Sequence, residues 1–227
     1  MGRAWVFIIA ATIWLAACSE GIGPPPAPEL RLLQWSPTIG APSFTALRGE
    51  PVLKGPDAAA GSSATLKLDT NRASFWAHRG RNEVVEIRYL APDGTWQPFA
   101  RFSIPSAGLY RRPNGQLFAD GDSVLITVTL DPNVVGVEFQ PTGLVFSRSA
   151  PAQFHLWYTG ANPDLDGNGI VNAADEQIRR TKLGLWVQEY SGDPWDGVRA
   201  VHSLDDKLFG AGLRHFSRYR GGYAVSF

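Results

Sequence analysis

The chain of 227 residues contains one cysteine, Cys18, and has no net charge, with 21 lysines and arginines against 21 aspartates and glutamates. A single cysteine excludes an internal disulfide, so a domain of this size depends on its core and on any ion it binds. Balanced charge argues against a nucleic-acid partner, which needs a basic footprint. No apolar run reaches the length of a comfortable transmembrane helix. The longest, Ala4 to Ala17, has the length of a signal-peptide core. Gly-x-Ser-x-Gly, His-Glu-x-x-His and a phosphate-cradling glycine loop are all missing, which removes the commonest hydrolase, zinc-peptidase and nucleotide signatures. Glu83 and Glu86 come closest to a carboxylate pair. Three apart on a predicted strand, they face opposite ways and do not form a glycosidase couple.

What is present centres on Asp164-Leu165-Asp166-Gly167-Asn168-Gly169-Ile170-Val171-Asn172-Ala173-Ala174-Asp175. As a twelve-residue calcium loop this places oxygen side chains at the first, third, fifth, ninth and twelfth positions: Asp164, Asp166, Asn168, Asn172 and Asp175. Gly169 occupies the sixth, where the chain turns sharply and φ > 0 is wanted. Ile170 occupies the seventh, where only a carbonyl is needed, so an apolar side chain can point into a core. Calcium wants six to eight oxygens, and this spacing curls five side chains and a carbonyl round one point. A plain Asp/Asn/Gly turn is the alternative, because those residues dominate turns for other reasons. Ala173 to Leu183 reads as a short helix stopped by Gly184. The loop is EF-hand-like and, in closing on Asp175 and running straight into a helix, resembles the calcium loop of dockerin modules. Dockerins carry two such loops and this chain has one, which weakens the implied cohesin-type partner.

The N-terminus reads as an address. Arg3 is followed by the apolar run, and Leu15-Ala16-Ala17-Cys18 closes it. This resembles a bacterial lipoprotein signal, so residues 1–17 are expected to be removed and Cys18 acylated. The resemblance implies a protein in the bacterial cell envelope, lipid-anchored to the outer membrane, since Ser19 rather than Asp follows the cysteine. Residues 18–64, with Gly-Ile-Gly-Pro-Pro-Pro-Ala-Pro (Gly21 to Pro28), read as the lipidated cysteine and a semi-stiff Pro/Gly-rich linker. Edge contacts from Leu30 to Trp35 are left open.

From Thr65 the hydrophobic period becomes two. Val85, Ile87 and Tyr89 share a face, as do Val124, Ile126, Val128 and Leu130, then Val135, Val137 and Phe139, then Phe154, Leu156 and Tyr158, and finally Tyr223, Val225 and Phe227. Turn signals such as Pro92-Asp93-Gly94 and Pro141-Thr142-Gly143 separate them. About 160 residues remain for one core. The expectation is an all-β fold, a β-sandwich over residues 65–227, with one short helix after the inserted calcium loop and the insertion spanning 164–183.

Gly121 to Val128, Gly136 to Ser147, Ala152 to Tyr158 and the tail His215-Phe216-Ser217-Arg218-Tyr219 resemble the ZU-type domain of zonula-occludens proteins, netrin receptors and ankyrins. That resemblance covers about residues 66–227 and implies a binding or scaffolding sandwich rather than a particular chemistry. It also implies one reaction. Some eukaryotic members cleave themselves at His-Phe-Ser, so Ser217 would attack the Phe216 carbonyl while His215 takes the proton. The plainer reading makes His215 to Ser217 part of the closing strand. Trp96, Trp186 and Trp195 lie in or near predicted turns and are candidates for a glycan platform, although filling the sandwich explains most tryptophans.

Overall fold

Strict alternation of apolar and polar residues dictates strands, and their pairing order shows how two sheets come to share one interior. The computed structural model describes residues 29–49 and 64–225. Cys18 lies outside them, together with the predicted leader and acylation point, and so does Phe227. Along the chain the elements are β1 (Glu29–Leu32), β2 (Phe44–Gly49), β3 (Ala64–Leu66), β4 (Leu68–Asp69), β5 (Arg72–His78) and β6 (Glu83–Leu90). They continue as β7 (Trp96–Ile104), β8 (Leu109–Arg111), β9 (Ser123–Leu130), β10 (Gly136–Gln140), β11 (Val145–Phe146) and β12 (Ala152–Trp157). The helix α1 (Ala173–Thr181) is followed by β13 (Gly184–Gln188), β14 (Asp196–Val198), β15 (Val201–Ser203), β16 (Leu208–Leu213) and β17 (Arg218–Val225).

The first sheet runs β14-β13-β17-β10-β9-β5-β4, with β1 also on β17; the second runs β15-β16-β12-β7-β6-β2-β3. A short ribbon, β11-β8, stands apart. Among the described residues the protein is all-β, with antiparallel sheets in a sandwich and one helix. The alternating faces named above line the interior: Val85, Ile87, Tyr89, Ile126, Val128, Leu130, Val137, Phe139, Phe154 and Leu156 are all buried. Aromatic rings join the layers. Phe139 of the first sheet lies 4.9 Å from Phe102 and 5.4 Å from Phe154 of the second, and it stacks on Phe216 at 4.8 Å. Each such ring buries enough apolar area that truncation to alanine costs about 3–5 kcal/mol.

Three expectations need correction. Residues 29–49 are part of the sandwich, not of a linker. Here β1 pairs with β17 through Glu29↔Val225 to Leu32↔Gly222, and β2 pairs with β6 from Phe44↔Tyr89 to Gly49↔Val84. Leu33 and Trp35 are buried, and Trp35 packs against Tyr89 and Phe99 at 5.3 and 5.0 Å. The prolines around them hid a strand pair whose partners lie far along the chain. Second, α1 ends at Thr181, with Lys182 as its C-cap; Leu183 is already buried and Gly184 opens the next strand instead of stopping the helix. Third, Ile170 does not enter a core, as described below.

Candidate metal centre

The insertion connects β12 of one sheet to β13 of the other, so its loop lies at the end of the sandwich where the chain changes layer. Tyr223 of β17 donates its hydroxyl to Leu165 O at 2.7 Å, and Arg31 of β1 donates to Asp166 O. Asn162 N–H donates to Gln34 O at 2.8 Å, and Arg179 of α1 donates to Leu204 O at 2.8 Å. The loop is thus held by both terminal strands, β1 and β17, as well as by its own helix.

Within the loop the carboxylates turn inward. Asp164 Oδ1 accepts from the amides of Gly167 and Asn168 at 2.9 and 3.1 Å, and Oδ2 from Gly169 at 2.8 Å. Asp166 accepts from Asn168 N at 3.0 Å, and Asn168 in turn from Ile170 N at 2.8 Å. Gly167 and Gly169 adopt φ +73° and +84°, which side chains strongly disfavour. Asp175 comes from the first turn of α1. Asn172 caps that helix by accepting from Ala174 N at 2.7 Å, and Asp175 returns to Asn172 N at 2.9 Å, completing a capping box. Its other oxygen accepts from Leu165 and Asp166 at 2.7 and 3.1 Å. These amide bonds stabilise the ionised form; that from Asn172 is the largest cause holding the Asp175 carboxyl below the usual carboxylate range, and burial opposes it.

Oxygen atoms of Asp164, Asp166 and Asp175 lie within 4.8 Å of one another, the grouping able to hold an ion among the described residues. Asp164 Oδ1 and Asp175 Oδ1 each accept two amides, but Asp164 Oδ2, Asp175 Oδ2 and the Asp166 oxygens each accept one bond and keep a lone pair, so every carboxylate of the group retains a hard donor. Asn168, Asn172 and the Ile170 carbonyl lie on the same turn. At present the Ile170 carbonyl accepts from Asn172 Nδ2 at 3.0 Å. The Ile170 side chain is 65% exposed and Val171 is 61% exposed. Ile170 thus turns its side chain to solvent rather than into a core. Hard oxygen donors with no sulfur or imidazole fit calcium chemistry rather than that of zinc or copper.

A second constellation appears at the tail. Ser217, 1% exposed, places Oγ 2.7 Å from Glu189 Oε2 and 2.7 Å from Phe216 O, with His215 Nδ1 at 3.4 Å. His215 Nε2 lies 3.3 Å from Glu189 Oε1. Gly143 N–H donates to Phe216 O at 3.2 Å. Glu189 sits just past the end of β13, and no spacing in the sequence links it to Ser217; only the β13–β17 pairing does. The φ angles of His215, Phe216 and Ser217 are all negative, so positive-φ strain does not mark this peptide.

The remaining aromatic candidates divide. Trp96 is 44% exposed at the start of β7, whereas Trp186 lies within β13, its indole donating to Gly222 O at 2.9 Å. His202, without an evident partner in the sequence, lies 2.6 Å from the Tyr158 hydroxyl. No family model, curated protein or solved structure matches the chain.

Proposed function

We propose that this protein is a calcium-binding β-sandwich displayed on a bacterial lipid anchor at Cys18, serving as a binding or structural module of the envelope without turnover. The observation that carries the reading is the convergence of Asp164, Asp166 and Asp175 within 4.8 Å on a loop whose sixth residue, Gly169, has φ +84°. Asp164, Asp166, Asn168, Asn172 and Asp175 supply side-chain oxygens and Ile170 its carbonyl. The ion neutralises carboxylates that would otherwise repel one another, and it ties β1, β17 and α1 together through the contacts of the loop. Its role is therefore structural, and the affinity is expected on the order of 10⁻⁴ to 10⁻³ M, as for extracellular modules. A thermal melt of the full chain in detergent tests this. An upward shift with millimolar calcium, absent with magnesium and reversed by chelator, supports the site; coincident melts in all three conditions remove it.

The second reading, self-cleavage between Phe216 and Ser217, is favoured by the approach of Glu189 and His215 to the Ser217 hydroxyl. Oγ would attack the Phe216 carbonyl carbon as His215 takes its proton, and the Phe216–Ser217 C–N bond would break as His215 returns that proton to the Ser217 nitrogen, while Gly143 N–H would stabilise the charge that develops on Phe216 O. The product would be an ester, which water then hydrolyses. Two fragments on a denaturing gel that merge in Ser217→Ala support it; a single intact mass dismisses it.

A further inference from the structure

Beside the loop, a half-open cleft of about 360 Å³ runs between α1, the segment after β12 and the turn before β16. Its floor is apolar, made by Tyr158, Leu165 and Leu183. Its rim carries Asn162, Glu176, Arg179 and Lys207. The volume falls in the range of pockets that hold small organic molecules, and it has room for about ten to fifteen non-hydrogen atoms.

The hydrogen bonds already made decide what chemistry the rim offers. Glu176 gives both oxygens to Arg179, at 2.7 and 2.8 Å, and also binds Arg180. The remaining arm of Arg179 is used on Leu204 O. Both oxygens of Asp175, which borders the cleft, already accept backbone amides. The Tyr158 hydroxyl is engaged with His202. Among the described residues, the Lys207 ammonium has neither a carboxylate nor a hydrogen-bond partner, and Asn162 uses only its carbonyl oxygen, on Asp164 N. The rim side chains without a partner are therefore donors, one of them a full positive charge, while the Glu176 carboxylate is neutralised by Arg179 and Arg180. A ligand with an apolar body and an anionic end matches both.

We propose that this cleft binds small carboxylates with an aryl or branched-alkyl body, the carboxylate meeting Lys207 and the body resting on Tyr158, Leu165 and Leu183. The carboxylate could belong to a free organic acid or to the C-terminal residue of a peptide. The proposal does not rest on calcium, although Asp175 borders both sites.

The test is calorimetric titration of the full chain in detergent, with calcium and again with chelator. The probes are 3-phenylpropionate, the uncharged 3-phenylpropanol and the cationic 3-phenylpropylamine, the last two each one non-hydrogen atom smaller. For about eleven non-hydrogen atoms the acid is expected to bind with Kd on the order of 10⁻³ M. The alcohol should bind about tenfold more weakly and the amine more weakly still, in both conditions. Lys207 has φ +50°, so Lys207→Gly removes the charge while suiting the backbone. It should reduce acid binding to the level of the alcohol without lowering Tm. Equal binding of acid, alcohol and amine, an unchanged acid affinity in Lys207→Gly, or no binding at 10 mM would each overturn the proposal. Tighter binding of a Phe-terminated tetrapeptide acid than of its amide identifies a chain end as the ligand; exclusion of both, with phenylpropionate retained, identifies a free acid.

Discussion

Asp164→Ala separates the calcium term from ordinary loop stability. Asp164 accepts three amides, from Gly167, Asn168 and Gly169, at 2.8 to 3.1 Å. These amides are largely exposed and rehydrate when the carboxylate is removed, so the cost without calcium should be small, about 1–2 kcal/mol. Calcium adds RT ln(1 + [Ca²⁺]/Kd). With Kd on the order of 10⁻⁴ to 10⁻³ M and roughly 10 mM free ion, that term is about 1.4–2.7 kcal/mol. For a domain of this size it corresponds to roughly 3–11 °C in Tm. The measurement is a four-way melt, wild type and variant, each with calcium and with chelator. The wild type should lose the whole increment on chelation, whereas the variant should melt at one temperature in both conditions, slightly below the chelated wild type. In the proposed site Asp164 is the first-position ligand, and a retained calcium shift in Asp164→Ala would show that the carboxylate cluster is not where the ion acts. A large loss in chelator with a normal calcium shift would make Asp164 a turn residue only.

Other outcomes follow from particular contacts. Gly136→Ala should destabilise by about 3 kcal/mol or more in urea, because the new Cβ would lie 2.2 Å from Arg220 Cδ and 2.5 Å from Tyr219 O, displacing a buried guanidinium from Asp131; a change below about 1 kcal/mol would refute that packing. Trp35→Ala should cost about 3–5 kcal/mol, and so distinguish a core anchor from a tether residue. Gly169→Ala should cost about 1–2 kcal/mol with or without metal, from its φ of +84° alone. Burial first, and then Arg101, hold the imidazole of His155 below its ordinary value; burial and then Arg179 do the same for His202. Both depressed values mean that the unfolded chain takes up protons first as pH falls. Stability should therefore be full above about pH 7 and decline from there towards acid, with His155→Gln/His202→Gln flattening the slope; an unchanged slope would exclude these groups as its source. Glu176, held at about 2 chiefly by its hydrogen bonds to Arg179 and then Arg180, should keep its contribution until far lower pH and lose it below the ordinary carboxyl range.

How far the sequence reached depended on whether the deciding interactions are local. Alternation along Val124 to Leu130 and Phe154 to Tyr158 is enforced residue by residue by the pleat, so strand identity and the inward face were legible. The grouping of Asp164, Asp166 and Asp175 was legible for the same reason, because all three belong to one short segment, the loop and the first turn of the helix that follows it. The end of α1 was not, because Leu183 leaves the helix to reach the core, and that core is assembled from distant strands. Nor were β1 and β2 visible, since their partners, β17 and β6, lie 35 or more residues away and the intervening prolines mask a short alternation. Glu189 reached Ser217 only through the pairing of β13 with β17, and the exposure of Ile170 followed from where the sandwich ends. Local spacing thus determined which side chains could act together within a turn or a strand. The tertiary structure decided which distant groups meet, because sheet register and layer order set those distances and no periodicity along the chain records them.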